Sequence, residues 1–385
     1  MIKVKVLLEK ETANEPKLEN KLAEIAGCDP TTLNTFKNKE KKEMKEFAGL
    51  IKIIKYLRPE QEFELMIDYS NHINPNFQTA RYMLEYLDTN GLIDAKKELI
   101  SKMIEGNNAK SKSLAKLYHI DQQVVDKELL PFEAIQQLSG NDGKLENKVV
   151  ATIFSAYVYL DQKLYEQVLN VVDGIIESLG GLEDSYLENM YMTRLLLLKA
   201  EAYNRQNDIA NARKFCRQLL DISINETYKA WSYLQLGNSY ILSDFERANE
   251  YFSKGLELVG VNSKVNTNIK RSHNFLHNLW KKECNYLNPE SKEVTDIHEV
   301  VFYKINKQET SEANLLLNSI DKESCTKNEL AFHFYLKGLI TNSIKDFTES
   351  IKYFNMSGDK HFKILPVMKL KQFNVDDSII ELLSI

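Results

Sequence analysis

The sequence predicts an all-α protein in which a short helical head precedes a long stack of helix pairs. Three observations carry this. Only 14 Gly and 7 Pro occur in 385 residues, roughly 5% against an average near 12%, which disfavours β-sandwiches, propellers and Gly-rich nucleotide folds. From Leu57 onward apolar residues recur with helical period, broken by short polar or glycine-containing links at 71–75, 106–108, 140–143 and 180–181. Through the second half, a template of small and large residues repeats. A single core stops growing at about 250 to 300 residues, so a chain of this length is either several units or a solenoid, and the repeat selects the solenoid. With 43% hydrophobic and 27% charged residues, the composition is not that of a disordered chain.

Charge divides the chain. The net charge is -5, yet residues 1–55 hold 12 Lys and no Arg against 9 acidic residues, while the remainder holds 38 basic against 46 acidic. A basic head on an acidic body is expected, with the head at 1–57, the stack at 58–373 and a final segment at 374–385. Cys28, Cys216, Cys284 and Cys325 lie far apart without a C-x-x-C pair, signalling neither a zinc knuckle nor a disulfide framework and fitting a reducing cytoplasm. The N-terminal stretch carries charge within its apolar run, and no 18-residue apolar run follows, so neither a signal peptide nor a membrane anchor is read.

In the head, a first helix is expected to end at Gly27 and a second to begin with Asp29 as N-cap and Pro30 in its first turn. Leu22, Ala26, Cys28, Leu33 and Phe36 are the apolar set, with small Ala23 at the crossing. This is the pattern of a helix-turn-helix. Thr31, Thr32, Asn34, Thr35 and Asn38, with Lys37 beside them, then face outward, and Asn and Thr side chains suit base edges in a major groove. Lys39, Lys41, Lys42, Lys45, Lys52, Lys55 and Arg58 follow, so 37–58 holds eight basic and three acidic residues, a surplus able to neutralise phosphates. The plain alternative is a helical hairpin with a solvated lysine face.

In the body, one helix-pair template is met by Ala156, Tyr159, Val168 and Val172, by Ala200, Tyr203, Ala212 and Cys216, and by Gly237, Tyr240, Ala248 and Phe252. Val301, Ala313, Leu317 and then Gly338, Ser350, Phe354 continue it without the aromatic, and an extra helix is expected around 268–285. Small residues let paired helices approach and larger ones fill the gap to the next pair. These are degenerate tetratricopeptide-like repeats, predicting a right-handed superhelix. Arg194, Glu201, Asn204, Trp231, Asn238 and His298 project from first helices as a polar lining suited to an extended peptide's backbone; a solvated polar groove is the alternative.

Catalytic signals are weak. His273 and His277 have the spacing of a metal pair but lack a following Glu and a third ligand. Residues 139–144 lack the phosphate-loop frame, and G-x-S-x-G, G-x-G-x-x-G and H-E-x-x-H are missing. No enzyme, metal or cofactor is expected.

A basic helix-turn-helix before a tetratricopeptide-like superhelix resembles the peptide-sensing regulators of Gram-positive bacteria and their phages, and most closely the phage arbitrium receptors of the AimR family. The resemblance is carried by EFELMIDY at 62–69, AKSKSLAKLYHI at 109–120, WSYLQLGNSYILS at 231–243, ANEYFSKGL at 248–256, NELAFHFYLKG at 328–338 and SGDKHFKILP at 357–366. It implies a homodimeric DNA-binding transcription regulator, in the host bacterial cytoplasm, that activates a lysogeny-inhibiting phage transcript when free. A secreted peptide of about six residues, with an Arg near its C-terminal end, switches it off. The family's motifs imply that Asn238 binds peptide backbone and that Glu299 and Asp359 pair with the peptide Arg, a planar fork that two carboxylates can share. Glu201 stands where relatives carry Asn, and Thr227 where they carry Arg. Arg194 or Arg205 is the candidate to supply the missing charge. Ile379, Ile380, Leu382 and Leu383 in the last segment read as a dimer seam or as packing onto the last repeat.

Two other functions fit a superhelical body. A peptide-regulated phosphatase or antagonist of response regulators would carry an N-terminal helical bundle in place of the Gly27 corner. A scaffold for host protein tails would not touch DNA.

Overall fold

A computed structural model describes residues 2–15, 17–140, 143–182, 184–260, 263–373, 375, 376, 378 and 383. Among them every regular element is a helix, as expected from a chain so poor in turn formers. Packing divides the chain into two compact units, residues 1–155 with 177–191 and residues 156–176 with 192–385.

The first unit begins with α1 (Lys3–Asn14), α2 (Leu18–Ala26), α3 (Pro30–Asn38) and α4 (Phe47–Leu57). Gly27 caps α2 in the left-handed region at φ 68, its N–H returning to Ala23 and Glu24 carbonyls; that backbone conformation is why glycine stands here. Pro30 opens α3 with Asp29 at the N-cap, although the Asp29 side chain makes no capping bond. Leu22, Ala23, Ala26, Leu33 and Phe36 are buried as predicted, whereas Cys28 is only half-buried. The tightest crossing is not at Ala23. A Cβ on Gly49 of α4 would lie 2.3 Å from the Ala26 carbonyl oxygen, so α4 presses on α2 where only glycine fits.

Then follow α5 (Glu62–His72), α6 (Gln78–Thr89), α7 (Ile93–Glu105), α8 (Ala109–Val125) and α9 (Pro131–Ser139). Helix α1 packs on α5 as well as α3, with Lys3 bonded to Asp68 and Glu64 at 2.7 and 2.6 Å. Packing therefore continues across residue 57. Both α10 (Leu145–Asp161) and α12 (Ser185–Arg205) have residues in the two ranges.

The second unit contains α11 (Tyr165–Ile176), α13 (Ile209–Ile222), α14 (Glu226–Tyr240), α15 (Phe245–Glu257), α16 (Lys264–Leu279), α17 (Val294–Asn306), α18 (Thr310–Asn318), α19 (Lys327–Thr341), α20 (Ile344–Ser357) and α21 (Ile364–Gln372). The repeats fall one template per helix pair: α10 with α11, α12 with α13, α14 with α15, α17 with α18, and α19 with α20. The extra helix is α16. Ala200, Ala212, Cys216, Ala248, Phe252, Val301, Ala313 and Leu317 are fully buried. A Cβ on Gly237 would meet the Phe252 ring at 2.2 Å, and one on Gly338 the Phe347 ring at 2.7 Å. The aromatic filler has moved about two turns earlier in the last pair, from the Phe354 position to Phe347.

Of the proposed seam, Ile379, Ile380 and Leu382 lie outside the described residues. Leu383 packs against the second unit's own apolar cluster, and its carbonyl accepts the Asn355 amide at 2.9 Å. For that one residue the structure shows packing within the chain.

Candidate functional site

On α3, Thr31, Asn34 and Asn38 are exposed and Thr32 and Thr35 half-buried. The Thr35 hydroxyl returns to the Thr31 carbonyl at 2.7 Å, and Asn38 donates to the Asn34 side chain. Lys37 departs from expectation. Its side chain is 11% exposed, with Nζ 2.6 Å from Glu19 and 3.1 Å from the Thr12 hydroxyl, so it ties α3 to α2 and α1 instead of facing out. Lys55 and Arg58 are also paired, with Glu62 and Glu11. Lys39, Lys41, Lys42 and Lys45 are exposed and make no ion pair among the described residues. The lysines left without an ion pair thus lie in the loop after α3, among Glu40, Glu43 and Glu46, and at exposed Lys52 of α4.

That loop is held from beneath. Lys5 of α1, 2% exposed, donates to the carbonyls of Lys39, Glu40 and Lys42 at 2.7, 2.9 and 2.7 Å and lies 4.7 Å from the Phe36 ring centroid. Met44 N–H donates to the Tyr69 hydroxyl at 3.0 Å, and Asn74 N–H to Glu43 at 2.6 Å. A charge-assisted donor on three carbonyls is strong. The result is a fixed backbone whose lysine side chains point to solvent.

In the second unit the predicted lining is buried instead of solvated. Arg194, Asn204, His298, Glu299 and Asp359 are all buried, while Glu201, Thr227, Trp231 and Asn238 are half-buried. Trp231, read as an exposed aromatic, packs on the apolar cluster. Arg194 donates to the Tyr157 hydroxyl at 3.2 Å. The Asn204 amide donates to the Gln235 backbone and side-chain oxygens, both at 2.9 Å. Asn204 Oδ1, Asn238 Oδ1, His298 Nε2 and His333 Nδ1 are buried without a hydrogen-bond partner. Each such atom costs about 1 to 3 kcal/mol, so each is a polar group the fold leaves for something else to satisfy.

Two acids stand in different surroundings. Glu299 on α17 accepts the Asn278 amide at its carbonyl and its carboxyl, at 2.9 and 3.2 Å. Burial pushes its carboxyl up to about 8, against the Asn278 bond, with Asp296 adding to the rise and Arg271 opposing it. Burial also lowers neighbouring His298 to about 3 and His333 to about 4, their rings 5.9 Å apart. Asp359, beyond the left-handed cap at Gly358, accepts Phe362 N–H at 3.1 Å, Arg205 at 2.5 Å and Asn328 at 3.1 Å. A Cβ on Gly358 would lie 2.9 Å from the Tyr165 ring. His361 reaches Asn207 at 2.9 Å and the Asn238 carbonyl at 3.2 Å.

Arg205, Asp359 and, through His361, Asn238 thus come together; Arg194 and Asn204 have other neighbours. Asn278, Asn328 and His361 were not singled out from sequence. Asn328 and His361 sit inside the resemblance segments, where their polar side chains amid apolar neighbours were the available signal. His273 and His277, the candidate metal pair, are buried and stacked at 4.0 Å. Among the described residues no group of three or more His, Cys, Asp or Glu could hold a metal, and no helix is long and apolar enough to cross a membrane.

A profile of the AimR transcriptional regulator-like family matches residues 62–372. The AimR transcriptional regulator of Bacillus phage SPbeta is 32% identical over 386 residues, covering 99% of each chain. That of Bacillus phage phi3T is 27% identical over 387 residues, covering 98% of this chain and 100% of the relative. The solved structure of selenomethionine phAimR superposes with a TM-score of 0.83 at 26% identity, covering 99% of this chain and 100% of that one; a phAimR-ligand structure matches at 0.77 and 26%, covering 87% and 100%. With most of its length matched by the profile, and a full-length relative at that identity, the chain belongs to the AimR transcriptional regulator-like family.

Proposed function

We propose that this protein is a DNA-binding transcription regulator controlled by a short peptide. In this reading a homodimer activates a lysogeny-inhibiting phage transcript when free, and a peptide of about six residues carrying an arginine switches it off. The observation that carries it is the set of buried, unpartnered polar atoms at Asn204, Asn238 and His298, inside the range the family profile matches. A peptide backbone, with its alternating donors and acceptors, would satisfy them. The exposed Lys39, Lys41, Lys42 and Lys45 beside Thr31 and Asn34 support a phosphate-contacting, groove-reading head. Relatives named as transcriptional regulators, and a family structure described with a ligand, favour this over a phosphatase.

Peptide binding would shift the population towards a geometry in which two heads no longer match half-site spacing. Ile379, Ile380 and Leu382 remain the proposed dimer seam. Mobility shift on phage promoter DNA at low salt, with and without synthetic arginine-containing hexapeptides, tests it. Binding to promoter DNA that the peptide abolishes is expected; no shifted DNA, or no effect of any peptide on DNA binding or assembly, overturns it.

A further inference from the structure

The Asp359 carboxylate is 1% exposed, and three donors converge on it. A carboxylate has about four lone-pair sites, so a ligand cation gains a full pairing here chiefly by displacing a donor already present. Phe362 N–H is backbone and cannot leave. Asn328 is a neutral amide. Arg205 is the cation of the set, and 35% of its side chain is exposed, so it has a route to solvent. It also has a second partner within reach. Glu201 lies one turn earlier on α12, the i,i+4 order in which an acid N-terminal to a base stabilises a helix. Burial opposes the Arg205 charge, but Asp359 and Glu201, with Tyr165, outweigh it, so the guanidinium stays charged in either position.

We propose that Arg205 is the specificity-determining residue of the peptide site, occupying Asp359 in the ligand-free protein in place of a ligand guanidinium and moving to Glu201 when a peptide arginine displaces it. The inference rests on the peptide-receptor reading above. Exchange of one guanidinium for another yields less than the filling of an empty carboxylate, because an unpaired buried charge is costly and its neutralisation correspondingly favourable. Arg205 therefore lowers affinity for arginine peptides and narrows their advantage over ligands that bring no cation. The carbonyl of Arg205 also accepts Lys360 N–H at 2.9 Å, a bond that side-chain exchange leaves intact.

The test uses the full chain and synthetic hexapeptide pools in which arginine, or uncharged unbranched norleucine, is fixed at one of positions three to six. Affinity and ligand-induced thermal shift are measured on the wild type, Arg205→Gln and Glu201→Gln. In Arg205→Gln the ligand-free melting temperature should fall, the arginine pool should bind about tenfold more tightly, and the arginine-over-norleucine preference should rise by the same factor. Glu201→Gln, which keeps the Asp359 pair and removes the second position, should weaken arginine-pool binding several-fold more than norleucine-pool binding and so lower the arginine-over-norleucine ratio. Should the wild type bind the pools while neither variant alters the arginine-over-norleucine ratio, the exchange is overturned and the receptor reading stands. If no pool binds the wild type, both fall.

Discussion

The side-chain amide of Asn278 holds Glu299 twice, at the backbone carbonyl at 2.9 Å and at the carboxyl at 3.2 Å. It fixes a buried acid that retains its proton up to about pH 8. With Arg205 on Asp359, both acids expected to meet a peptide arginine are discharged in the ligand-free protein, one by a proton and one by a cation. An empty site with two bare buried carboxylates would be far more costly.

Stability should fall with pH through Glu299. Its carboxyl stands at about 8 in the fold against 4.5 ordinarily, so the stability it contributes is fully present below about 4.5 and is lost as pH rises through about 8. Glu299→Gln should be more stable than wild type at pH 8.5 by about 1 to 3 kcal/mol and equal to it at pH 4.5, read by urea unfolding at both values. An arginine-bearing hexapeptide that pairs with Glu299 must release this proton, so its affinity should rise between pH 6 and 8 by up to about tenfold per unit. Calorimetry in buffers of different ionisation enthalpy would count that proton.

Asn238→Ala removes an amide whose Oδ1 has no partner. Ligand-free stability should rise, by up to about 1 to 3 kcal/mol as the unpartnered oxygen is removed, while peptide affinity falls about tenfold or more. Equal losses in both would mean that the amide serves the fold alone.

Two lysine sites should separate DNA contact from packing. Lys41→Ala with Lys42→Ala should lower the slope of log affinity against log salt by roughly 2 with unchanged melting. Lys37→Ala, which breaks the Glu19 and Thr12 contacts, should lower the melting temperature and leave the slope alone.

Gly49→Ala puts a methyl carbon 2.3 Å from the Ala26 carbonyl oxygen. Neither backbone can yield cheaply, so a loss of about 3 kcal/mol is expected, with DNA binding lost and peptide binding kept. Thermal melting alongside both binding assays would show it.

The helix pairs were legible because spacing of small residues is a local property: Gly237 with Phe252, and Gly338 with Phe347, meet across one turn. The corner at Gly27 was legible for the same reason, since a left-handed cap selects glycine. Contacts across long separations left no such mark. Nothing near Gly49 in sequence points to Ala26, and nothing near Arg205 points to Asp359, 154 residues away. Lys37 was misplaced because its outward helical position says nothing of Glu19, which reaches it from another helix. Burial of the lining was missed because Arg194, Asn204 and Glu299 are residue types normally left in water; satisfied or ligand-seeking polar groups inside a stack depart from that rule.

The grip of Lys5 on the carbonyls of Lys39, Glu40 and Lys42 is indifferent to the side chains those residues carry. Any amino acid with a carbonyl would be held as well, so the loop's chemistry is uncoupled from its shape. Substitutions there can change the charge the loop presents without costing the head its fold, whereas Lys5, buried beneath it, is the position at which drift would be punished.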